Sequence, residues 1–494
     1  MRAIVNRRRG FPGLAIVVVL CHIHWSRLDS HGAFTSHSQR LPAPPRRRAL
    51  QVAAKNPDLE EEDADRTEYL EEAEGNADEV DNQQPKESRY WRLPKTEKRV
   101  IRTSKYTGGC TLYCSGAPDK PQQYDDPDHT LLQDQPTHSP DCPFCPGNEN
   151  RTPEPLLWVD QHGEMRTDKL EEGWLARAIP NIFPLVVTPV GYYPPAHYAK
   201  LQTIPHAAAA AGMNSDHGAP PEGNDEVAAF GISEVVVSSP LHNGLPAILN
   251  KTEVALSLSV VQARGQAIRQ AHKQNSTVQD MAFFKQYGQM SGGSLLHPHY
   301  QILTLPYVSN RQRVRIRKAH TNYNINNECL TCVELRDVLD KSHEAHKRFL
   351  YENEHFVVLV PFCARQHAVH VVPKEHCHSW LDMPSDHMAA FGDAVQLTMQ
   401  VVYEGLLNPD YVMYLVTVDT QAHLDFAQRE LEDGDLKKEF HWWLEVLPRF
   451  VGDFGGIEAA LGLRVCTRQG LPEDFAEELR EVFVQKLKER EEEE

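Results

Sequence analysis

The sequence lacks an excess of positive charge. It contains 51 lysines and arginines against 69 aspartates and glutamates, which gives a formal net charge of −18 at pH 7. Broad nucleic-acid binding needs a basic face that neutralises many phosphates, so we expect no nucleic-acid partner. A small phosphorylated substrate is compatible with this charge, because a few local hydrogen-bond donors are enough to hold it.

The sequence also lacks a hydrophobic run that would span a bilayer comfortably. The apolar run Leu14–Leu20 is far shorter than the roughly 20 residues of a spanning helix. It follows the basic cluster Arg7–Arg9, as the h-region of a signal peptide follows its n-region. Residues 1–33 are therefore predicted to be a signal peptide cut after Ala33, and we expect no membrane segment in the mature protein.

Lysine and acidic residues are scarce at the start, where residues 1–50 hold nine arginines, no lysine and one acidic residue. After Phe34 the chain is rich in Arg, Ser and Pro, like a transit peptide, and Asp58–Asn82 then reads as a solvated acidic linker. We predict a transit peptide and disordered linker at 34–87. A signal peptide followed by a phenylalanine-led transit peptide resembles the bipartite leader of algae with complex plastids. We expect a plastid protein; secretion, or a cytoplasmic protein with an uncleaved basic tail, is the alternative.

The ten cysteines are too unevenly placed to suggest a disulfide framework. Four of them form two C-x-x-C pairs, which in a chain of this length favours metal or redox chemistry. A thioredoxin-like redox site would place C-x-x-C at a helix start after a strand, whereas Pro143 and Pro146 favour a metal-binding knuckle for the first pair. Buried reduced thiols are the structural alternative. The pairs are Cys142 with Cys145, and Cys329 with Cys332.

The length of 494 residues exceeds one ordinary core, so we expect two domains. A β-branched strand at Glu234–Val237 precedes an apolar helical stripe with Asn250 or Thr252 as its N-cap. Strands at Ala282–Lys285 and Tyr300–Leu303 follow this helix. A strand, a helix and further strands in this order predict an α+β fold.

The order of cysteine and histidine parts repeats along the chain. Each half has a C-x-x-C pair followed by two separated histidines, which indicates a duplicated unit. We predict two tandem domains with antiparallel sheets and packed helices, at 88–308 and 327–490, joined by a polar linker at 309–326. The separated histidines are His242 and His297, and then His376 and His441.

The strongest local signal is Gly-Gly-Ser-Leu-Leu-His-Pro-His-Tyr-Gln at 292–301. Residues two apart on a strand face the same side, so His297, His299 and Gln301 are predicted to line one surface. Before them, two glycines allow backbone N–H groups to approach an anion closely, and a serine adds a hydroxyl donor. These candidate phosphate-cradle residues are Gly292, Gly293 and Ser294.

His299 is the candidate nucleophile. A neutral imidazole attacks phosphorus through one nitrogen while an acceptor, commonly a backbone carbonyl, holds the other N–H. The adduct keeps a cationic ring and is therefore labile enough to pass its nucleotidyl group on. Gln301 can donate a hydrogen bond to a non-bridging oxygen as the charge of that oxygen grows. Taken alone, an H-x-H pair is also compatible with packing at a strand edge.

Three motifs in order resemble the galactose-1-phosphate uridylyltransferase family. That family has Cys-Pro-x-Cys, then Arg-x-x-x-Asn-x-x-Pro, then Gly-x-Ser-x-x-His-Pro-His-x-Gln, which match 142–147, 177–184 and 292–301. Within the family the chain most resembles plant ADP-glucose phosphorylases. These share the second C-x-x-C pair, a Pro-Lys-x-His that ends here at His376, and a His-Trp-x-Leu that starts here at His441.

The resemblance implies an enzyme of two histidine-triad-like domains that transfers an adenylyl group from ADP-glucose to phosphate through adenylyl-His299, usually as a homodimer. It also implies two closed Cys2His2 zinc sites, which are structural. His297 as a ligand would hold the strand that presents His299. The first set is Cys142, Cys145, His242 and His297, and the second is Cys329, Cys332, His376 and His441. In the second set, His370 and His378 are neighbouring histidines that could substitute.

Four residues are candidates for phosphate and nucleotide contacts: Arg177, Asn181, Lys285 and Ser294. The structural alternative is a surface ion pair for Arg177 and a solvated Lys285. Two departures from the family leave the nucleobase open. Gln286 stands where the family usually has asparagine, and Ile182 stands where a basic residue is common.

Several other functions stay open from the sequence. A histidine-triad nucleotide hydrolase has a third histidine two residues after the nucleophile, where this chain has Gln301. Glutamine cannot act as a general acid, so transfer is favoured over hydrolysis. Uridylyl transfer between UDP-glucose and galactose 1-phosphate, and phosphorolysis of dinucleoside polyphosphates, use related chemistry. A zinc-stapled nucleotide-binding protein without catalysis is the non-enzymatic alternative.

Overall fold

The structure is a computed structural model that describes residues 99–103, 110–114, 135–188, 192–193, 226–272, 278–364, 367–450 and 471–493. The predicted signal peptide, 1–33, and the predicted transit peptide and linker, 34–87, lie outside the described residues. Contacts divide the chain after Ser88, and all described residues belong to the unit Arg89–Glu494. Among the helices that the structure describes, none is long and apolar enough to cross a membrane.

The strands form where apolar and β-branched residues cluster, and those predicted at 234–237, 282–285 and 300–303 are confirmed. The strands before residue 310 are β1 (Arg99–Thr103), β2 (Cys110–Cys114), β3 (Leu157–Val159), β4 (Met165–Arg166), β5 (Ala176–Pro180), β6 (Glu226–Ala228), β7 (Ser233–Val237), β8 (Asp280–Tyr287) and β9 (His299–Leu305). The later strands are β10 (Phe349–Glu352), β11 (Phe356–Leu359), β12 (Val369–Pro373), β13 (Asp410–Val416) and β14 (Trp443–Arg449).

The first long helix, α1 (Lys251–Ala271), begins at the predicted N-cap Asn250. The side chain of Asn250 accepts a hydrogen bond from the Glu253 N–H, and the Glu253 carboxylate accepts one from the Asn250 N–H. This capping box satisfies two backbone donors that the first helical turn leaves without partners. The other helices are α2 (Asn310–Asn326), α3 (Leu330–Leu339), α4 (Met388–Gly405), α5 (Gln421–Glu430), α6 (Leu436–Glu439) and α7 (Pro472–Glu493).

Eleven of the described strands form one sheet in the order β10-β11-β12-β14-β13-β8-β9-β7-β5-β3-β4. Every pairing in this sheet is antiparallel. Strands β2, β1 and β6 form a separate three-stranded antiparallel sheet. Helices packed on antiparallel sheet confirm the predicted α+β class.

The two predicted halves share the eleven-stranded sheet. β8 of the first half pairs with β13 of the second, with Phe284 opposite Tyr414. On either side of this joint the same arrangement recurs, since β7 pairs with β9 and β12 pairs with β14. The topology therefore repeats as the sequence does, but the halves are joined edge to edge rather than as two separate sheets.

One face of the sheet is covered by α1 and α4. These helices bury Leu258 and Phe391 against Phe283 and Tyr300 of the sheet and against Trp442, which precedes β14. Because successive strand residues point to opposite faces, His299 and Gln301 lie on the other face of β9 from Tyr300. The face covered by α1 and α4 is thus the largest apolar core, and His299 and Gln301 lie on the opposite face.

The segment 309–326, predicted to be a polar linker, is almost entirely the helix α2. Ser309 caps it by accepting a hydrogen bond from the Gln312 N–H, and Asn327 ends it in a left-handed conformation. Ile316 is buried against Val416 and Phe426, so one side of this polar helix is part of the fold. Its single buried apolar position is too weak a periodic signal to predict a helix from the sequence.

Candidate active site and metal centres

The first cysteine–histidine set comes together in one buried cluster of Cys142, Cys145, His242 and His297. The C-x-x-C pair lies on a tight turn in which the Phe144 N–H donates to the Cys142 sulfur. His242 lies after β7 and His297 lies two residues before β9, so the ends of two neighbouring strands position the histidines. Their Nδ1 atoms lie 3.4 to 3.6 Å from the cysteine sulfurs.

This first cluster fits a tetrahedral zinc ion. Bonds of about 2.3 Å to sulfur and about 2.0 Å to nitrogen place the sulfur and nitrogen ligands roughly 3.5 Å apart, as they are here. The other ring nitrogen of His297 donates to the carbonyl oxygen of Ser239 at 2.9 Å, which leaves Nδ1 as the ligand atom. Burial lowers the pKa of His297 to about 3, so its imidazole is held in the neutral form that binds metals.

The second set also comes together, and it joins Cys329, Cys332, His376 and His441 rather than the neighbouring His370 and His378. The Cys332 sulfur lies 3.3 Å from Nδ1 of His376 and 3.5 Å from Nδ1 of His441. Cys329 is the N-cap of α3, so this C-x-x-C pair does stand at a helix start. The element before it is α2 and not a strand, and two histidines complete the donor set, which favours metal over redox chemistry.

His299 is the first residue of β9 and is only 8% exposed. Its Nδ1 lies 2.9 Å from the carbonyl oxygen of His297, a hydrogen bond that requires the proton on Nδ1 and places the lone pair on Nε2. The Phe144 ring packs against the imidazole with ring centroids 5.4 Å apart at 69°. His299 is thus oriented by the carbonyl group of His297, a member of the first cluster. It is also oriented by the knuckle, which is the turn that carries Cys142 and Cys145.

Gln301 lies on the same face of β9, two residues further along. Its Nε2 donates to Oε1 of Gln286 at 3.3 Å, and Nε2 of Gln286 donates to the Ser291 carbonyl oxygen at 2.5 Å. Gln286 therefore links Gln301 to the loop that precedes the His-Pro-His motif. Sequence reasoning noted Gln286 only as a departure from the family and not as a contact of Gln301.

The glycines of the predicted phosphate cradle lie in a hydrogen-bonded turn. The Gly292 N–H donates to the Gln289 carbonyl oxygen and the Gly293 N–H to that of Gly288, both at 3.0 Å. These two N–H groups close the turn that precedes the His-Pro-His motif. Gly292 adopts a φ of +75°, and a Cβ there would lie 3.1 Å from Nε2 of Gln286. Ser294 is buried beside this turn.

The chain is similar in sequence to two characterised nucleotidyltransferases. No family model matches the chain. The chain is 23% identical over 349 residues to the ADP-glucose phosphorylase of Arabidopsis thaliana, covering 69% of this chain and 82% of that protein. It is 28% identical over 223 residues to the galactose-1-phosphate uridylyltransferase of Thermotoga maritima, covering 44% of this chain and 63% of that protein. The resemblance predicted from the motifs is confirmed.

Solved structures show the same fold. An ADP-glucose phosphorylase from Arabidopsis thaliana with bound ADP-glucose is 19% identical, with a TM-score of 0.52 over 78% of this chain and 99% of that chain. A GalT-like protein from the same plant is 22% identical, with a TM-score of 0.52 over 70% of this chain and 94% of that chain. At these identities the structures establish the uridylyltransferase-like fold alone.

Within this fold, the predicted nucleotide contacts separate into two groups. Asn181 follows β5 and is partly exposed; its side chain donates to Oγ of Ser233 at 3.2 Å and accepts from the Phe183 N–H at 2.9 Å. Arg177 is fully buried and donates to Oγ1 of Thr152 at 2.8 Å, so it forms no surface ion pair. Asn181 thus keeps part of its surface exposed, whereas Arg177 is enclosed by the protein.

Lys285 is not brought to the face of His299. It alternates along β8 with Phe284 and Gln286 and points, like Phe283 and Tyr287, into the helix-covered core. It is 1% exposed, so the alternative of a solvated lysine is wrong as well. Its Nζ lies 3.4 Å from the carbonyl oxygen of His299, beneath the strand, and burial lowers its pKa to about 7.

The second half has no histidine at the position equivalent to the nucleophile. His441 corresponds to His297, and two residues further along Trp443 stands where the first half has His299. An indole N–H is a donor only and cannot attack phosphorus. Glu445 takes the place of Gln301 beside His370; burial favours its neutral form, but His370 outweighs this effect and the pKa is lowered to about 2.

Proposed function

We propose that the protein is a nucleotidyltransferase that moves a nucleoside monophosphate from a nucleotide sugar to phosphate or a sugar 1-phosphate through a nucleotidyl-His299 intermediate. The observation that carries this proposal is the hydrogen bond from Nδ1 of His299 to the His297 carbonyl oxygen. It leaves the lone pair on Nε2, on the face of the sheet opposite α1 and α4, beside a residue of a metal cluster.

Nε2 of His299 would attack the α-phosphorus of the nucleotide sugar. The new P–N bond forms as the bond from that phosphorus to the bridging oxygen breaks, and the sugar 1-phosphate leaves. An oxygen of phosphate or of a second sugar 1-phosphate then attacks the same phosphorus, the P–N bond breaks and the imidazole returns to its neutral form. Each step needs one nitrogen of fixed tautomer, which the backbone contact of His299 supplies.

Gln301 supports transfer rather than hydrolysis. Its amide can donate to a non-bridging oxygen as negative charge grows there, and its contact with Gln286 restrains the side chain. It has no proton to give to a leaving group, so water gains no general acid at this position. The histidine-triad hydrolase alternative lacks the third histidine on which it depends.

ADP-glucose is the favoured nucleotide sugar. The relative from Arabidopsis thaliana, which matches this chain over 82% of its own length, is an ADP-glucose phosphorylase. Like the plant branch, this chain has the second C-x-x-C pair, and its cysteines assemble with two histidines. Uridylyl transfer is the second candidate, because the uridylyltransferase of Thermotoga maritima is 28% identical over the shorter matching region.

Both cysteine–histidine clusters are proposed to hold structural zinc. In each, four donors within 4.8 Å of one another close the coordination sphere, so no position is left for water. Zinc would supply a rigid link between the knuckle, the end of β7 and the start of β9. Metal analysis of the purified protein is expected to give two zinc ions per chain, and a protein without zinc would contradict both sites.

The test of function is covalent labelling. The protein is incubated with ADP-glucose or UDP-glucose labelled in the α-phosphate, and acid-labile, base-stable label is mapped to a peptide. We expect label from ADP-glucose on His299 and its discharge by phosphate. His299→Ala should lose transfer by at least about a thousandfold, whereas the exposed control His162→Ala should not change it. Label from UDP-glucose alone would show that UDP-glucose, and not ADP-glucose, is the substrate. An active His299→Ala variant would show that His299 is not the nucleophile.

We also propose a plastid location and a homodimer, from the leader and from the resembling family respectively. Fusing residues 1–87 to a fluorescent protein tests the location, since retention in the cytoplasm or secretion would contradict it. Light scattering of the purified protein tests the homodimer, for which a mass near twice 56.0 kDa, less the leader, is expected.

A further inference from the structure

We propose that Arg177 is a positioning residue that holds the knuckle so that Phe144 fixes the plane of the His299 imidazole. The inference rests on the proposed role of His299 as nucleophile. It differs from the sequence-based expectation that Arg177 binds phosphate, and it assigns Phe144 a task in the reaction.

Arg177, Val237 and His299 form a row across three neighbouring strands. Arg177 on β5 is in register with Val237 on β7, and Val237 is in register with His299 on β9. Neighbouring strands lie about 4.8 Å apart, so roughly 10 Å separates the two ends of the row. The knuckle packs over the middle of this row, because Cys142, Phe144 and Cys145 form one apolar cluster with Val237.

At one end of the row, Arg177 donates hydrogen bonds to the backbone of the knuckle. Its Nη2 donates to the carbonyl oxygens of Pro143 and Phe144, at 3.4 and 3.5 Å. Its Nη1 donates to Thr152, and its guanidinium lies over the Trp174 ring with 4.9 Å between the guanidinium carbon and the ring centroid. The fork of a guanidinium can make these contacts at once, which an ammonium group cannot.

Arg177 is enclosed by the protein. Its side chain is fully buried between the knuckle and the sheet. Burial lowers its pKa to about 10, which still leaves it charged at neutral pH. The cost of burying this charge is offset by hydrogen bonds to the carbonyl oxygens of Pro143 and Phe144 and by the nearby Glu149. Its polar contacts therefore act on the knuckle.

From the other end, Phe144 fixes the imidazole. Its ring meets His299 at 5.4 Å and 69° and His297 at 5.9 Å and 88°, both edge-to-face arrangements. An edge-to-face contact restrains the tilt of the imidazole, and the hydrogen bond from Nδ1 restrains its rotation. Misplacing a reacting group by about 1 Å can cost about a hundredfold in rate, so a displaced Phe144 matters.

The experiment compares single-turnover adduct formation and steady-state kinetics in four variants of the metal-loaded protein: Arg177→Met, Arg177→Lys, Phe144→Ala and the double variant Arg177→Met with Phe144→Ala. Arg166→Met is the matched control, because Arg166 is an exposed arginine on β4, two strands from β5 in the same sheet. We expect Arg177→Met and Phe144→Ala to slow adduct formation by about ten- to a hundredfold with KM within about twofold of wild type. The double variant should be no slower than the slower single variant, since both act through one contact.

A readout separate from activity is the chemical shift of the His299 ring, which the Phe144 ring current sets. Arg177→Met should move this shift toward the Phe144→Ala value, and Arg166→Met should leave it unchanged. Should Arg177→Met fail to fold, Arg177→Lys and Thr152→Val carry the test, because the Thr152 hydroxyl accepts a hydrogen bond from Arg177 and valine keeps nearly the shape of threonine.

Three results would overturn the inference. A raised KM with unchanged kcat would make Arg177 a substrate ligand, as the sequence suggested. Independent, multiplying losses in the double variant would show that Arg177 does not act through Phe144. Wild-type rates and shifts in Arg177→Met would remove the role altogether. These outcomes are distinct from failure of the proposed function, in which the wild-type protein itself would form no adduct on His299.

Discussion

At the scale of single residues, the amide of Gln301 and the amine of Lys285 both lie at β9 but are expected to have different roles. Gln301 faces the site and contacts Gln286, whereas Lys285 lies under the same strand in the core. Gln301 is part of β9 and Lys285 packs against it, yet replacing each residue is expected to change a different property of the protein. Gln301 should affect what happens to the adduct, and Lys285 should affect how stability depends on pH.

Replacing Gln301 by histidine should open a hydrolytic route. Histidine can give a proton to a leaving group, which glutamine cannot, so hydrolysis of the nucleotide sugar without acceptor should rise by roughly tenfold or more. Release of sugar 1-phosphate in acceptor-free buffer measures this. Gln301→Asn is the control, since it retains an amide and should lower transfer without adding hydrolysis. Unchanged hydrolysis in Gln301→His would weaken the assignment of Gln301 as the determinant of transfer.

Lys285 should make the protein less stable as the pH falls. Burial lowers its folded-state pKa from the ordinary 10.5 to about 7, so between these values the unfolded chain binds a proton that the folded chain does not. The free energy of unfolding therefore falls as the pH decreases from 10 to 7, by at most about 1.4 kcal/mol per pH unit. Lys285→Met removes this proton.

Urea unfolding of wild type and Lys285→Met at pH 7, 8, 9 and 10 measures the effect. The advantage of Lys285→Met over wild type should be largest at pH 7 and should shrink toward pH 10. The lost hydrogen bond to the His299 carbonyl oxygen adds a constant that does not change with pH. The exposed lysine in Lys318→Met serves as control. If the difference in free energy of unfolding between Lys285→Met and wild type stayed constant over this pH range, a lowered pKa of Lys285 would be ruled out.

At the scale of elements, the crossing of α1 and α4 depends on a missing side chain. Gly392 on α4 lies against Ala255 on α1, and a Cβ at residue 392 would lie 2.5 Å from the Ala255 Cβ and 2.8 Å from its backbone. The helices approach closely because each has a small residue at the contact. This crossing bridges the two halves, since α1 precedes β8 and α4 precedes β13.

Gly392→Ala is predicted to destabilise the protein although alanine is the better helix former. The overlap with a neighbouring backbone forces the helices apart, at a cost of about 1–3 kcal/mol, which exceeds the gain of about 1 kcal/mol in helix propensity. Ala389→Ser, at an exposed position of the same helix, should stay within about 0.5 kcal/mol. Equal stability of Gly392→Ala and wild type in urea unfolding would show that the crossing can relax.

At the scale of the whole molecule, the joint between the halves reaches the catalytic loop. Asp410, the first residue of β13, accepts a hydrogen bond from the Met290 N–H at 2.7 Å. Gly288 has a φ of +84°, and a Cβ there would overlap the Asp410 carboxylate. The second half thus supports the turn that leads to His299, even though Trp443 replaces the nucleophile in its own site.

Gly288→Ala should therefore reduce both stability and adduct formation. A positive φ alone costs alanine about 1–2 kcal/mol, and the clash with Asp410 adds about 1–3 kcal/mol. Gly163→Ala is the matched control, because Gly163 has a φ of +83° and its nearest neighbour, Leu256, is 3.8 Å away. Urea unfolding and single-turnover labelling measure the two effects. Equal losses in the two variants would show that the joint does not support the loop.

Much of the candidate site could be predicted from the sequence because metal and nucleophile motifs are local patterns. The two C-x-x-C pairs and the spacing of His297 and His299 determined which residue types would meet, and the structure assembles both four-residue sets. The apolar stripe after Asn250 and the strand patterns determined the elements around them. These signals work because a C-x-x-C turn, an N-cap and strand alternation each act within a few residues.

Only the tertiary structure decided which face of the sheet each side chain occupies and what covers it. Alternation places Lys285 with Phe283, but the register between β8 and β9 decides that this face is the core. Likewise, Arg177 is enclosed because a knuckle more than 30 residues earlier folds over it, a contact that no local pattern contains. Pairings between distant strands set these positions, and the sequence between them carries no period that reports on register.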